Sequence, residues 1–233
     1  MRLKFVTLIF LVLVIGAGIY SSRSFDFLGK DQGMTVAISN SSEKRSSVLL
    51  DVPFTAQTPL GNWNDLRQQE GCEEASVLMA IQWVKGEILS PIKAEKEIIA
   101  ISEYQLKNYG YFQDTSVEDT VDRIFKGYFK YENVSVKQDI GLNDIKSELL
   151  KGNLVIAPVN GQKLNANYIR HMLVIIGHDQ ETREFIVNDP GLINGARLHL
   201  AENVMLNAIR DYVSGYYEPV KEERKNIIIV SRS

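Results

Sequence analysis

A chain of 233 residues, 45% hydrophobic and 24% charged, can bury one substantial core with room for a small accessory element. Its formal net charge of −3 supplies no basic surface of the kind that holds a phosphate backbone, so the composition speaks against nucleic acid as a partner. A single cysteine rules out an internal disulfide and fits a protein that keeps one thiol free.

The first four residues carry two positive charges, and residues 5–20 form an apolar run broken only by Thr7. That pattern marks an export signal or an N-terminal membrane anchor. The run is short against the roughly 20 residues that span a bilayer, which favours a cleaved signal. The small residues Gly16, Ala17 and Gly18 lie inside the run, a poor position for cleavage, which favours a retained anchor. Either way the cations stay cytoplasmic and the rest lies outside, exported or on the outer face of the membrane. Residues 21–47 are rich in Ser, Lys, Asp, Gly and Asn without apolar periodicity, which predicts a flexible tether. The folded domain is expected over residues 48–233.

Residues 48–54 read as a short strand ending near Pro53, followed by a loop over 55–64. Gly71 gives the backbone freedom to turn, and residues 75–84 then read as a helix with Cys72 at its N-terminus and a stop at Lys85-Gly86. It is apolar on nearly every side and therefore buried. Residues 91–108 mix Lys and Glu with isoleucines at helical spacing, predicting an amphipathic surface helix. Thr115 and Ser116 precede acidic residues and can cap a further helix reaching about Gly127. The aromatic and β-branched stretch 126–137 is expected to contain a strand, and 142–151 a helix closed by Gly152. Four strand-like runs follow at 154–159, 169–176, 184–188 and 226–230, with turns expected at 177–180 and 194–195. Helices crowd the first half and strands the second, which predicts an α+β domain with an antiparallel sheet.

Cys72 falls at the start of its helix, where unpaired N–H groups and the helix dipole favour an anion and therefore a thiolate. A cysteine nucleophile needs a base, and the base an orienting group. Of the three histidines, His171 precedes the apolar run Met172-Leu173-Val174-Ile175-Ile176, and Asp189 ends the next strand in Asn188-Asp189-Pro190-Gly191. Antiparallel strands joined by a tight connection bring the start of the first beside the end of the second, so His171 and Asp189 should be neighbours. A developing oxyanion needs donors, for which Gln57 offers a side-chain amide and Cys72 its backbone N–H; Gln68 and Gln69 are also candidates.

The order of Gln57, Gly71-Cys72 at a helix start, His171 before an apolar strand and Asn188-Asp189-Pro190 resembles the papain-like cysteine peptidases of the bacteriocin-processing type. It is similar above all to their exported or membrane-anchored bacterial relatives, which share the entry Val52-Pro53-Phe54-Thr55-Ala56-Gln57. The resemblance implies a papain-like fold with N-terminal helices packed on a C-terminal antiparallel sheet. It also implies Cys72 as nucleophile, His171 as base, Asp189 as its orienter and Gln57 as oxyanion donor. The substrate would be a peptide or protein, cell-wall peptide included, with no cofactor. Processing members carry Cys-Gly where this chain has Cys72-Glu73-Glu74, and those acidic residues oppose a nearby thiolate.

Blander readings compete with these. A lone cysteine is by default a small buried hydrophobe. Asp189 before Pro190-Gly191 can be a plain turn residue, a role that predicts no contact with His171. His178 reads as a solvated turn residue and His199 as a strand or helix-entry residue. The spacing of Cys72, His171, His178 and Asp189 matches no usual zinc pattern. A catalytically silent domain that binds a peptide or the cell wall is the alternative to an enzyme.

Overall fold

The computed structural model describes residues 47–166, 168–215 and 224–232, so the expected export segment and nearly all of the tether lie outside the described residues. Its centre is an antiparallel sheet of β1 (Val48–Leu49), β2 (Val134–Lys137), β3 (Leu154–Asn160), β4 (Arg170–Asp179), β5 (Glu184–Asn188), β6 (Leu198–Ala201) and β7 (Ile227–Val230). The strands run in the order β2-β7-β3-β4-β5-β6, with β1 pairing on β4. β3 and β4 are buried along almost their whole length, as near-continuous Val, Ile and Leu runs require.

Helices cover both faces. On one, α2 (Cys72–Lys85) and a π-helical stretch (Thr120–Tyr128) pack Val77, Ile81, Trp83, Ile124 and Phe125 against Met172, Val174 and Ile176 of β4. On the other, α5 (Leu142–Leu150) and α6 (Glu202–Ala208) bring Ile145, Leu149, Met205 and Ala208 against Leu173 and Ile175. α3 (Pro91–Tyr109) packs against α2 through Ala94 and Ile98. The fold is α+β, with the N-terminal helices on a mainly C-terminal sheet.

α2 ends as its sequence predicts, with Gly86 in the left-handed region at φ 67°. Ser90 caps α3 and Ser116 the short α4 (Val117–Asp119), accepting from Lys93 N and Asp119 N. Two expectations need correction and one is narrowed. The strand expected over 48–54 is confined to Val48–Leu49, with one further bond to β4 from Leu50 N to the Ile176 carbonyl at 2.8 Å. The strand expected within 126–137 is Val134–Lys137; residues 126–128 end the π-helix, and Tyr128 packs edge-on to Tyr104 and Phe129. β4 does not turn at Gly177. β1 pairs with Gly177 and His178, a bulge lies between Ile175 and Gly177, and the ladder continues to Asp179. His178 is consequently buried, with Nε2 2.8 Å from Glu202 Oε1, rather than solvated. His199 lies in β6 and is bonded to Glu184.

Candidate active site

Cys72 is the first residue of α2, and Gly71 before it sits at φ −93° and ψ 27°, backbone that any residue can adopt. Space, not turning freedom, is what demands glycine there. A Cβ would lie 2.8 Å from the Arg67 carbonyl oxygen and 3.0 Å from Ile98 Cγ2. α1 (Leu66–Gln69) and α3 thus close directly onto the residue before the cysteine, and Cys72 is only 7% exposed. The first N–H groups of α2 have no acceptor in the helix's own ladder, so this end favours negative charge.

The two glutamates after the cysteine part company. Glu74 turns to α3, where its Oε1 accepts from Gln105 Nε2 at 2.7 Å and Ser102 Oγ at 3.3 Å. Glu73 turns to the sulfur: Oε2 accepts from Cys72 Sγ at 3.1 Å and Oε1 from Tyr212 Oη at 2.6 Å. Both carboxyls are fully buried. Burial, seconded by the charge of Asp114, lifts the Glu73 carboxyl to about 7. Burial and then Glu73 push Glu74 well above the usual carboxylate range. For Cys72, burial first and then Glu73 and Asp114 drive the thiol well above its ordinary value. These acidic neighbours oppose the helix dipole.

His171 stands near the start of β4, registered opposite Val159 of β3, and β5 ends at Asn188 opposite Val174. The chain leaves the sheet at Asp189, and His171 Nε2 lies 2.5 Å from Asp189 Oδ1. This contact is the one the hairpin argument predicts. Asp189 also performs the turn role, accepting from Gly191 N at 2.8 Å. Burial alone would raise the Asp189 carboxyl. The bonds from His171, Gly191 N–H and Tyr168 outweigh it and hold the group below its usual value. Tyr168 covers the pair, its ring 4.4 Å from the imidazole and its Oη 3.5 Å from Asp189 Oδ2. A Cβ on Gly191 would come 2.9 Å from His171 Cε1, so glycine is required for the turn to pass the ring.

Gln57 joins the two halves. Its backbone N–H donates to the Pro190 carbonyl at 2.8 Å and its Nε2 to the Gln69 carbonyl at 2.5 Å. One hydrogen of that amide is therefore committed and a second is left. Gln68 is buried in α1, and Gln69 is exposed and contributes its backbone oxygen. One turn along α2 from the cysteine, Ser76 Oγ donates to the Met172 carbonyl at 3.2 Å, fastening the helix to the residue after His171. No cluster of three or more His, Cys, Asp or Glu suited to a metal occurs among the described residues.

The model of the Peptidase_C39 like family matches residues 49–216. The chain belongs to that family. Among solved structures, a Bacillus anthracis protein described as a C39-like peptidase aligns with a TM-score of 0.53 at 16% identity. The alignment covers 81% of this chain and 99% of that one, and at such identity the likeness is one of fold. No curated protein matches the chain. Within this C39-like domain, sequence reasoning overlooked Tyr168, Tyr212, Asp114 and Arg170. Arg170 Nη1 holds Asp114 Oδ2 at 3.0 Å, and its guanidinium lies 5.7 Å from the Tyr212 ring centre. Their only sequence signal was the adjacency of Tyr168 and Arg170 to His171.

Proposed function

We propose that this C39-like domain is a thiol hydrolase, a cysteine peptidase or amidohydrolase, working outside the cytoplasmic membrane on a peptide or protein. The His171–Asp189 hydrogen bond carries the reading. Because Asp189 engages Nε2, the proton sits there and Nδ1 is left as the acceptor in the neutral ring. The Cys72 thiol turns from Glu73 to His171, gives up its proton to Nδ1, and the thiolate attacks the substrate carbonyl carbon. The oxyanion takes hydrogen bonds from the Cys72 backbone N–H and the second amide hydrogen of Gln57. The imidazolium then protonates the departing amine as the C–N bond breaks, leaving a thioester on Cys72. Water, deprotonated by His171, attacks that thioester and releases the acid and the thiol.

Incubating the full chain with a mixed-sequence peptide library tests this. The wild type should generate new peptide ends by mass spectrometry, and Cys72→Ala should generate none. Cleavage that survives in Cys72→Ala would overturn the assignment.

One observation favours a second reading. The thiol is held by a carboxylate and pushed upward, as in a catalytically silent peptide- or cell-wall-binding domain. That reading expects Cys72→Ala to bind its partner as well as the wild type and His171→Ala to have no effect.

A further inference from the structure

Glu73 is a buried acid that the acyl-enzyme scheme does not use. Its two oxygens have two distinct partners, Cys72 Sγ at 3.1 Å and Tyr212 Oη at 2.6 Å, and all three side chains are buried. Tyr212 comes from the segment after α6, far along the chain, so the carboxylate is fixed from outside its own helix. Tyr212 Oη donates to Glu73 Oε1, and Glu73 Oε2 accepts the thiol hydrogen. Among the described residues, the other charged or titratable groups acting on the pair are Glu74 on the same helix, Asp114 after α3, which Arg170 of β4 holds, and Tyr168 before β4, beside the sulfur.

We propose that Cys72 and Glu73 share one proton, so that Glu73 is a further catalytic residue that sets when the sulfur is a nucleophile. In one form the sulfur carries the proton and donates it to the Glu73 carboxylate. In the other, the proton has crossed to Glu73 Oε2 and the carboxylic acid donates back to a thiolate. The two forms hold the same number of protons and the same charge. Only the second presents a thiolate while the sulfur still faces Glu73. The first engages the thiol hydrogen on the Glu73 carboxylate. A carboxyl that burial lifts to about 7 takes up a proton more readily than an exposed one, which favours the second form. The inference rests on the reading of Cys72 as nucleophile and concerns where the thiol proton sits in the resting site, before the sulfur turns to His171 Nδ1.

The test is the pH profile of Cys72 alkylation by iodoacetamide in the full chain, followed by intact mass, in the wild type, Glu73→Gln, Tyr212→Phe and His171→Ala. Two groups competing for one proton titrate as a pair, so the wild-type rate should rise with pH in two steps. Glu73→Gln should show one step, with the apparent thiol pKa lower by roughly 1–3 because a like charge is gone. Tyr212→Phe removes a bond that favours the carboxylate, so the proton stays longer on Glu73 and the first step should grow. It also keeps the test alive if Glu73→Gln does not fold. Glu73→Gln and Tyr212→Phe profiles that overlay the wild type would overturn the shared proton. If they do so while Cys72→Ala and His171→Ala abolish peptide cleavage, the peptidase reading stands without it. If Glu73→Gln moves the profile but His171→Ala changes neither alkylation nor cleavage, the shared proton stands and the peptidase reading falls.

Discussion

Two glycines hold the candidate site by being small. Gly71→Ala would set a methyl 2.8 Å from the Arg67 carbonyl oxygen, a backbone atom that cannot swing aside. The expected cost is about 1–3 kcal/mol of stability, the range for overpacking, read from the urea midpoint. Gly191→Ala acts on function instead. Its methyl would meet His171 Cε1 at 2.9 Å and Tyr168 Oη at 3.1 Å, so the imidazole must shift off Asp189. Peptide cleavage should fall by at least about tenfold, since a misplaced base forfeits most general-base catalysis, while the thermal midpoint moves little. Normal cleavage in Gly191→Ala would mean that the His171–Asp189 alignment is not used. The sequence made Cys72, His171 and Asp189 legible because each sits at a predictable end of an element. Tyr212 was not legible, because its bond to Glu73 joins residues 139 apart and nothing local to either announces it.

Among the elements, α2 carries the cysteine and is the most deeply buried helix, and its rigidity is a packing matter. Leu78 is fully buried against Ala94 and Ile98 of α3. Leu78→Ala should cost about 2–5 kcal/mol in chemical denaturation, as a large-to-small change in a core does. At the far end of β4 the Glu202 carboxylate accepts from Lys146, His178 and Arg183. Burial alone would raise its carboxyl, but these partners prevail and hold it to about 2. A carboxyl depressed on folding contributes stability that is complete above the unfolded value near about 4.3 and is lost as pH falls through the folded one. Glu202→Gln should therefore flatten the acid limb of stability between those two values, measured as the urea midpoint against pH. An unchanged acid limb would assign acid unfolding to other groups. α2, β3 and β4 could be read from the sequence because their apolar runs are long. α6 has 7 residues and β6 has 4, too few for a period to show, and both exist through contacts with β5 and the sheet face.

At the scale of the whole molecule, the α+β class followed from the segregation of helical and strand patterns along the chain. The second helical layer, α5 and α6, did not follow, because strands buried on both faces look the same whichever helices cover them. The N-terminal segment makes a prediction of its own. Bacterial cells expressing the full chain should place it in the membrane fraction or the medium, and removing residues 1–20 should leave it in the cytoplasm. Retention of the full chain in the cytoplasm would end the export proposal. The central claim is spatial: the sulfur, the imidazole and the amide of Gln57 converge on one substrate carbonyl. The most direct measurement is a crystal structure of the protein reacted with a peptide aldehyde. The account predicts a hemithioacetal on Cys72, its oxygen about 3 Å from Gln57 Nε2 and the Cys72 backbone nitrogen, with His171 Nδ1 facing the sulfur. An unreacted thiol still bonded to Glu73, with the imidazole facing elsewhere, would contradict it.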